Sequence, residues 1–267
     1  MSSLAFNRIL IGAVVLMAMA CSSEDEQSSA EISPLQTTSQ GGVLVKQMIN
    51  HWYSDGFWLH DYPFDFIYDG NKLLRIINPD GGSVDFTYTG NLITSIKERR
   101  ELLESSAQYE YSLSYDMYHR LIKCLKTSNY GADYRMFYNY VADGIVDRHT
   151  YRYEGNYFYY SFDRFSFTEG DQNTLLPEGT IINYDEMNSP LKNITGFDKI
   201  MLAYRVEYFV GGGSQMLWGN KENLLSQNNP ETGQALKTFE YTYNQDNYPT
   251  EMTVKDSLIR YKFTCVY

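Results

Sequence analysis

The chain is 267 residues long, carries a formal net charge of −11, and holds 25 tyrosines, 14 phenylalanines and 3 tryptophans. The length suits one large domain, and the aromatic load can fill a core without help from disulfides. An acidic chain repels phosphate backbones, which argues against nucleic acid as a partner.

The first element is a secretory signal. Arg8 precedes an apolar run from Ile9 to Ala20, broken only by Gly12. The run is shorter than the ~20 residues a spanning helix needs. Ala18 and Ala20 supply small side chains before Cys21, the pattern of a bacterial lipoprotein signal. Residues 1–20 are therefore expected to be removed, leaving lipid on Cys21 as the membrane partner. Residues 21–42 are rich in Ser, Thr, Glu and Gln. They hold too few apolar groups to offset ordering entropy, and they read as a flexible tether.

A single β domain is expected over residues 43–267. Its opening strand is read at Val43 to Ile49. The segment Trp52-Tyr53-Ser54-Asp55-Gly56-Phe57-Trp58 follows, where flat rings lie beside Asp and Ser. Trp52 and Trp58, with Trp218 further on, are candidate ligand-stacking residues; the same pattern also fits a hairpin with its rings in the core.

Hairpins then repeat. Phe64 to Tyr68, the turn Asp69-Gly70-Asn71-Lys72, and Leu73 to Ile77 form the first. Asp-Gly between apolar runs is a hairpin signal because glycine accepts positive φ. Val84 to Tyr88 with Thr89-Gly90-Asn91 gives a second unit, and Tyr111 to Tyr115 with Asp116 to Arg120 a third. Met136 to Tyr140 with Ala142-Asp143-Gly144 gives a fourth. Tyr68, Tyr88, Tyr115 and Tyr138 read as equivalent positions, one per hairpin, 20 to 27 residues apart.

Residues 168–237 are less regular, with short strands such as Ala203 to Val210 expected between long loops and no amphipathic helix. Alternation returns at Phe239, Tyr241 and Tyr243, turns at Asn247-Tyr248-Pro249, and ends with Ile259, Tyr261, Phe263, Cys265 and Tyr267. The expected fold is all-β: an antiparallel meander of about 12 to 16 strands in a strongly curved or closed barrel-like sheet. The last strand resembles the closing strand of outer-membrane barrels. Many strand faces carry Glu, Lys, Arg and Asn, however, where a transmembrane barrel needs an apolar band.

Chemistry-bearing motifs are sparse. His51, His60, His119 and His149 lack metal-ligand spacing, so neither metal nor cofactor is expected. There is no nucleophile elbow, phosphate loop or dinucleotide fingerprint. Cys124 and Cys265 read as separate buried thiols. Asp256-Ser257-Leu258 matches a three-residue O-glycan acceptor pattern of envelope proteins and marks Ser257 as a candidate modification site.

The unit Tyr-Asp-Gly-Asn-Lys-Leu-Leu-Arg-Ile at 68–76 resembles the tyrosine–aspartate repeats of bacterial wall-associated and toxin-shell proteins. More closely, residues 43–267 resemble a Bacteroidetes lipoprotein family of unknown function with a porin-like β fold. The resemblance rests on the Phe66 to Asn71 turn and on Phe239 to Tyr243 with Asn247 to Thr250. The tail Ser22-Ser23-Glu24-Asp25-Glu26 resembles the acidic tract that sends such lipoproteins to the cell exterior. The resemblance implies a fold and an outer-membrane, outward-facing address. It brings no activity and no functional residues.

The expected function is that of a non-enzymatic, surface-anchored binding or accessory module for a glycan, peptide or envelope protein. An envelope glycoside hydrolase with paired carboxylates and a purely structural lipoprotein are the alternatives.

Overall fold

The computed structural model of the protein describes residues 42–54, 57–101, 106–129, 131–168, 171–176, 180–204, 207–210, 221–255 and 260–267. Sixteen strands lie among these residues. The first eight are β1 (Gln47–Ser54), β2 (Phe57–Asp69), β3 (Lys72–Ile77), β4 (Ser83–Thr89), β5 (Leu92–Glu101), β6 (Ser106–Tyr115), β7 (Leu121–Ser128) and β8 (Asp133–Ala142). The remainder are β9 (Ile145–Glu154), β10 (Tyr157–Thr168), β11 (Asp171–Leu176), β12 (Thr180–Tyr184), β13 (Leu224–Asn228), β14 (Ala235–Tyr243), β15 (Pro249–Lys255) and β16 (Arg260–Val266). Each pairs antiparallel with its sequence neighbours. β1 also pairs with β16, from Gln47↔Val266 to Trp52↔Tyr261, so the meander closes into a barrel. The all-β hairpin meander expected from the alternation is the fold observed.

The repeated turns explain the repeated tyrosine. In the β2–β3, β4–β5, β6–β7 and β8–β9 hairpins the register shifts at or just after the tyrosine before the turn: Tyr68, Tyr88, Tyr115 and Tyr140. A bulge of this kind bends the strand and re-aims the side chain. The hydroxyls of Tyr68, Tyr115 and Tyr140 donate to the carbonyls of Val45, Ile93 and Leu121, at 2.8, 2.6 and 3.1 Å. Tyr241 repeats the contact with Leu224 at 2.7 Å. The fourth repeat position is thus Tyr140. Tyr138, expected there, lies one rung deeper and donates to the Leu202 carbonyl instead.

Many inward positions are apolar. Phe64, Phe66, Leu73, Ile76, Val84, Ile93, Ile96, Leu121, Val254 and Phe263 are all buried. The strands alone do not fill the interior. The connection from β12 to β13 enters from the end that carries the tyrosine turns and packs within the ring. It buries Leu191, Ile194, Phe197, Ile200, Tyr204, Phe209 and Val210. Two single helical turns lie on it, α1 (Phe197–Ile200) and α2 (Glu207–Val210). This corrects the strand expected at Ala203 to Val210. Ile200 and Tyr204 are joined by a 2.8 Å backbone bond of helical spacing, which puts their side chains on one side and not on alternating faces.

The plug is fastened at specific points. Thr195 N–H donates to the Asn71 carbonyl at 2.9 Å, and Asn193 Nδ2 to the Val43 carbonyl at 2.9 Å. Arg148 chelates Asp163 at 2.8 and 3.0 Å and donates to the Leu202 carbonyl at 3.2 Å. Gly196 has φ +73, and a Cβ there would lie 2.5 Å from the Asn91 carbonyl oxygen. Only glycine allows both that backbone conformation and that approach. Rings interlock plug and wall: Tyr204 meets Tyr111 at 5.1 Å, and Phe209 meets Phe64 at 5.6 Å.

Cys124 and Cys265 are both buried and unbridged, as expected. Burial pushes each thiol up to about 12, so neither is a nucleophile near neutral pH.

Candidate binding surface

The outward faces of the barrel differ sharply from one sector to another. On β3 to β6 the wall is ionic. Arg75 pairs with Asp85, Lys97 with Glu110 at 3.3 Å, and Arg99 with Glu101 at 2.9 Å. On β14 to β16 Lys255 pairs with Glu240 at 2.5 Å and Lys262 with Glu251 at 2.6 Å. These positions do not form the apolar band of a lipid-facing wall.

On β8 to β10 the wall is aromatic. The register sets His149 opposite Phe162, Tyr151 opposite Tyr160 and Tyr153 opposite Phe158. Phe137 on β8 lies beside His149. Residues directly opposite across a pair share a face, so these seven rings form one sheet-borne array. Tyr151 touches Phe137, Phe158 and Tyr160 at centroid distances of 5.9, 5.9 and 5.3 Å. His149 meets Phe162 at 5.3 Å, and its Nδ1 shares a 2.9 Å hydrogen bond with the Tyr160 hydroxyl. Contacts of this type hold rings in place with about 0.5–1.5 kcal/mol each.

The array is open to solvent. Phe158 is 56 % exposed and Tyr160 52 %. At the Gly155 turn the opposite face is uncovered as well, with Tyr157 70 % exposed. The exposed rings are contiguous along the sheet. Charge borders it on two sides. Arg135 lies over the Tyr153 ring at 4.9 Å and Lys123 over Phe137 at 5.9 Å. At the opposite border Arg164 grips both oxygens of Asp147 at 2.6 and 2.8 Å. That grip holds the Asp147 carboxyl below the usual carboxylate range. The surface offers flat ring faces with polar edges.

The residues picked from the sequence fall elsewhere. Trp52 lies on β1 opposite His60, and Trp58 lies on β2 opposite Tyr53. They sit at the same end of the barrel as the Gly155 turn, and their side chains lie outside the described residues. So do Cys21, Trp218, Ser257, the signal, and the tether up to residue 41. The aromatic array was missed because period-2 alternation reveals two faces without saying which is outside. In β10 both faces are aromatic, with Tyr157 and Tyr159 on one and Phe158, Tyr160 and Phe162 on the other. The signal available was the ring-rich pair of runs flanking Glu154-Gly155-Asn156.

Two buried carboxylates stand out among the described residues, Glu98 and Asp147. Each is paired with an arginine, and they lie on opposite faces of the wall. They cannot flank one glycosidic bond. A cavity of about 590 Å3 between plug and wall is lined by Arg120, Tyr140, Lys192, Lys199 and Asp198, among others. Arg120 is held by Asp116, Lys199 by Asp198, and Lys192 by Asn188.

No protein-family model matches this sequence, and no curated protein matches it. Among solved structures, the chain is similar to a porin-like protein from Bacteroides uniformis. The two are 10 % identical, and the match covers 82 % of this chain and 84 % of that one at a TM-score of 0.35.

Proposed function

We propose that this protein is a non-enzymatic binding module of the cell envelope, tethered through lipid on Cys21, with the outer face of β8 to β10 as its glycan-binding surface. The exposed ring array carries the reading. It concentrates aromatic surface where β3 to β6 and β14 to β16 place ion pairs, and a stable barrel has no need of it. The lipoprotein-like start of the sequence supports the address, and the short acidic run after Cys21 supports display at the cell exterior.

A glycan and peptidoglycan-fragment array probed with the full-length protein tests the proposal. Selective binding is expected, weakened at least tenfold in a Phe158→Ser/Tyr160→Ser double variant whose melting temperature stays within a few degrees of the parent. A parallel Trp58→Ala arm asks whether the tryptophan segment belongs to the same surface. Silence across the array would overturn the glycan reading. It would favour a structural role, which the packed interior also suits.

A further inference from the structure

The inward face of the same sector carries a different pattern. One rung of the sheet runs Tyr111 on β6, Lys126 on β7, Tyr134 on β8, Arg152 on β9 and Tyr159 on β10. Tyrosine and cation alternate along it. Lys126 Nζ lies 4.6, 5.2 and 5.4 Å from the rings of Tyr109, Tyr111 and Tyr134. The Arg152 guanidinium lies 5.9 Å from Tyr134 and 5.5 Å from Tyr159. Arg100, from the adjoining strand, lies 5.6 Å from Tyr109.

Among the described residues two carboxylates lie here, and both are paired. Buried Glu98 pairs with Arg100, and Glu154 with Arg152 at 2.5 Å. Lys126 makes neither a hydrogen bond nor an ion pair among the described residues, and ring faces are its contacts. Burial draws its ammonium down from the ordinary lysine range. Around it, Arg152 Nε and Thr150 Oγ1 are buried without a hydrogen-bond partner. Buried polar groups in folded proteins are nearly always satisfied, so a group of exceptions in one place needs a reason. All three, Lys126 included, can donate a proton to a hydrogen bond, and among the described residues the cations outnumber the carboxylates by one. The missing complement is an anionic oxygen acceptor.

We infer that this cation–tyrosine rung is a second binding site, taking an oxyanion, carboxylate or phosphate, with Lys126 as its anchor. Rings on both sides of the ammonium hold it in position without neutralising it. The fork of Arg152 is suited to planar or tetrahedral oxyanions. A sugar acid, a sugar phosphate or the free anion could present this group. The inference stands apart from the outer array, because the two sets of side chains project from opposite faces of the wall.

Calorimetric titration of the full-length protein with galacturonate, glucose 6-phosphate, inorganic phosphate, acetate and glucose tests it. At least one oxyanion is expected to bind while glucose does not, with affinity falling as salt rises. The Lys126→Met variant should lose at least tenfold while melting no earlier than the parent. Tighter binding of the sugar-borne anions than of phosphate or acetate would identify a saccharide source, and equal binding a free anion. Unchanged affinity in Lys126→Met, salt-independent binding, or no binding of any oxyanion would overturn the inference. If Lys126→Met fails to fold, the salt dependence of the unsubstituted protein decides. The Phe158→Ser/Tyr160→Ser variant should bind the oxyanion normally, so failure of the glycan surface and failure of this site are distinguishable.

Discussion

The two ends of this barrel are built to different standards. At the plugged end, turns and the inserted segment interlock. The hydroxyls of Tyr68, Tyr115, Tyr140 and Tyr241 each reach a backbone carbonyl, and Gly196 lies against the Asn91 backbone with no room for a methyl group. Toward the Gly155 end, rings stand in solvent, and among the described residues Lys126 makes no ion pair and Thr150 Oγ1 and Arg152 Nε are buried without a partner. Hydroxyl-to-carbonyl fastening is concentrated at one end and exposed ring surface at the other. Proteins commonly break local packing rules where they bind.

The comparison is broken most directly at the plug. Gly196→Ala forces a side chain into the left-handed region, at about 1–2 kcal/mol for the backbone alone, and pushes the plug off the β4–β5 turn. A loss of roughly 2–3 kcal/mol is expected in urea unfolding. A loss below about 0.5 kcal/mol would mean that the plug does not seal that end. Tyr115→Phe is a smaller intervention. It removes one hydroxyl and leaves the Ile93 carbonyl unmet, for about 1 kcal/mol. A Tyr160→Phe control at the other end, where the hydroxyl is exposed, should change stability by much less.

The smallest effect is a dependence on pH. Asp147 has a folded pKa below its unfolded value because Arg164 grips it. Its contribution is therefore fully present above about pH 4, the unfolded carboxylate value. It is lost as pH falls through the lower folded value. The stability gap between the parent and Asp147→Asn should be constant near neutrality and shrink below about pH 4. A gap that stays constant down to pH 2 would show that Arg164 does not hold the carboxylate in solution.

Much of the wall was legible in the sequence. Alternation at Phe64, Phe66 and Tyr68, with Asp-Gly at the turn, specifies a strand pair. The same grammar recurs often enough to predict a meander. The separate burial of Cys124 and Cys265 followed from their lack of framework spacing. The plug was not legible. Leu191, Ile194, Phe197, Ile200 and Tyr204 recur every three or four residues, but Pro190 and Gly196 interrupt the run. A helical turn that survives only inside a preformed ring leaves a weak local signature. The aromatic array was missed for a different reason. Which face of a strand looks outward is decided by ring closure, a property of all sixteen strands together.

Pairing of β1 with β16 has a kinetic corollary. The first strand acquires its second neighbour only when the last one arrives, across nearly the whole length of the domain. Contacts of such sequence separation make folding slow. Until then the β1 edge, with Met48 and Asn50 destined for the interior, is open to other chains. Assembly of this protein should therefore be late, all-or-none at its final step, and sensitive to crowding by unfinished copies of itself.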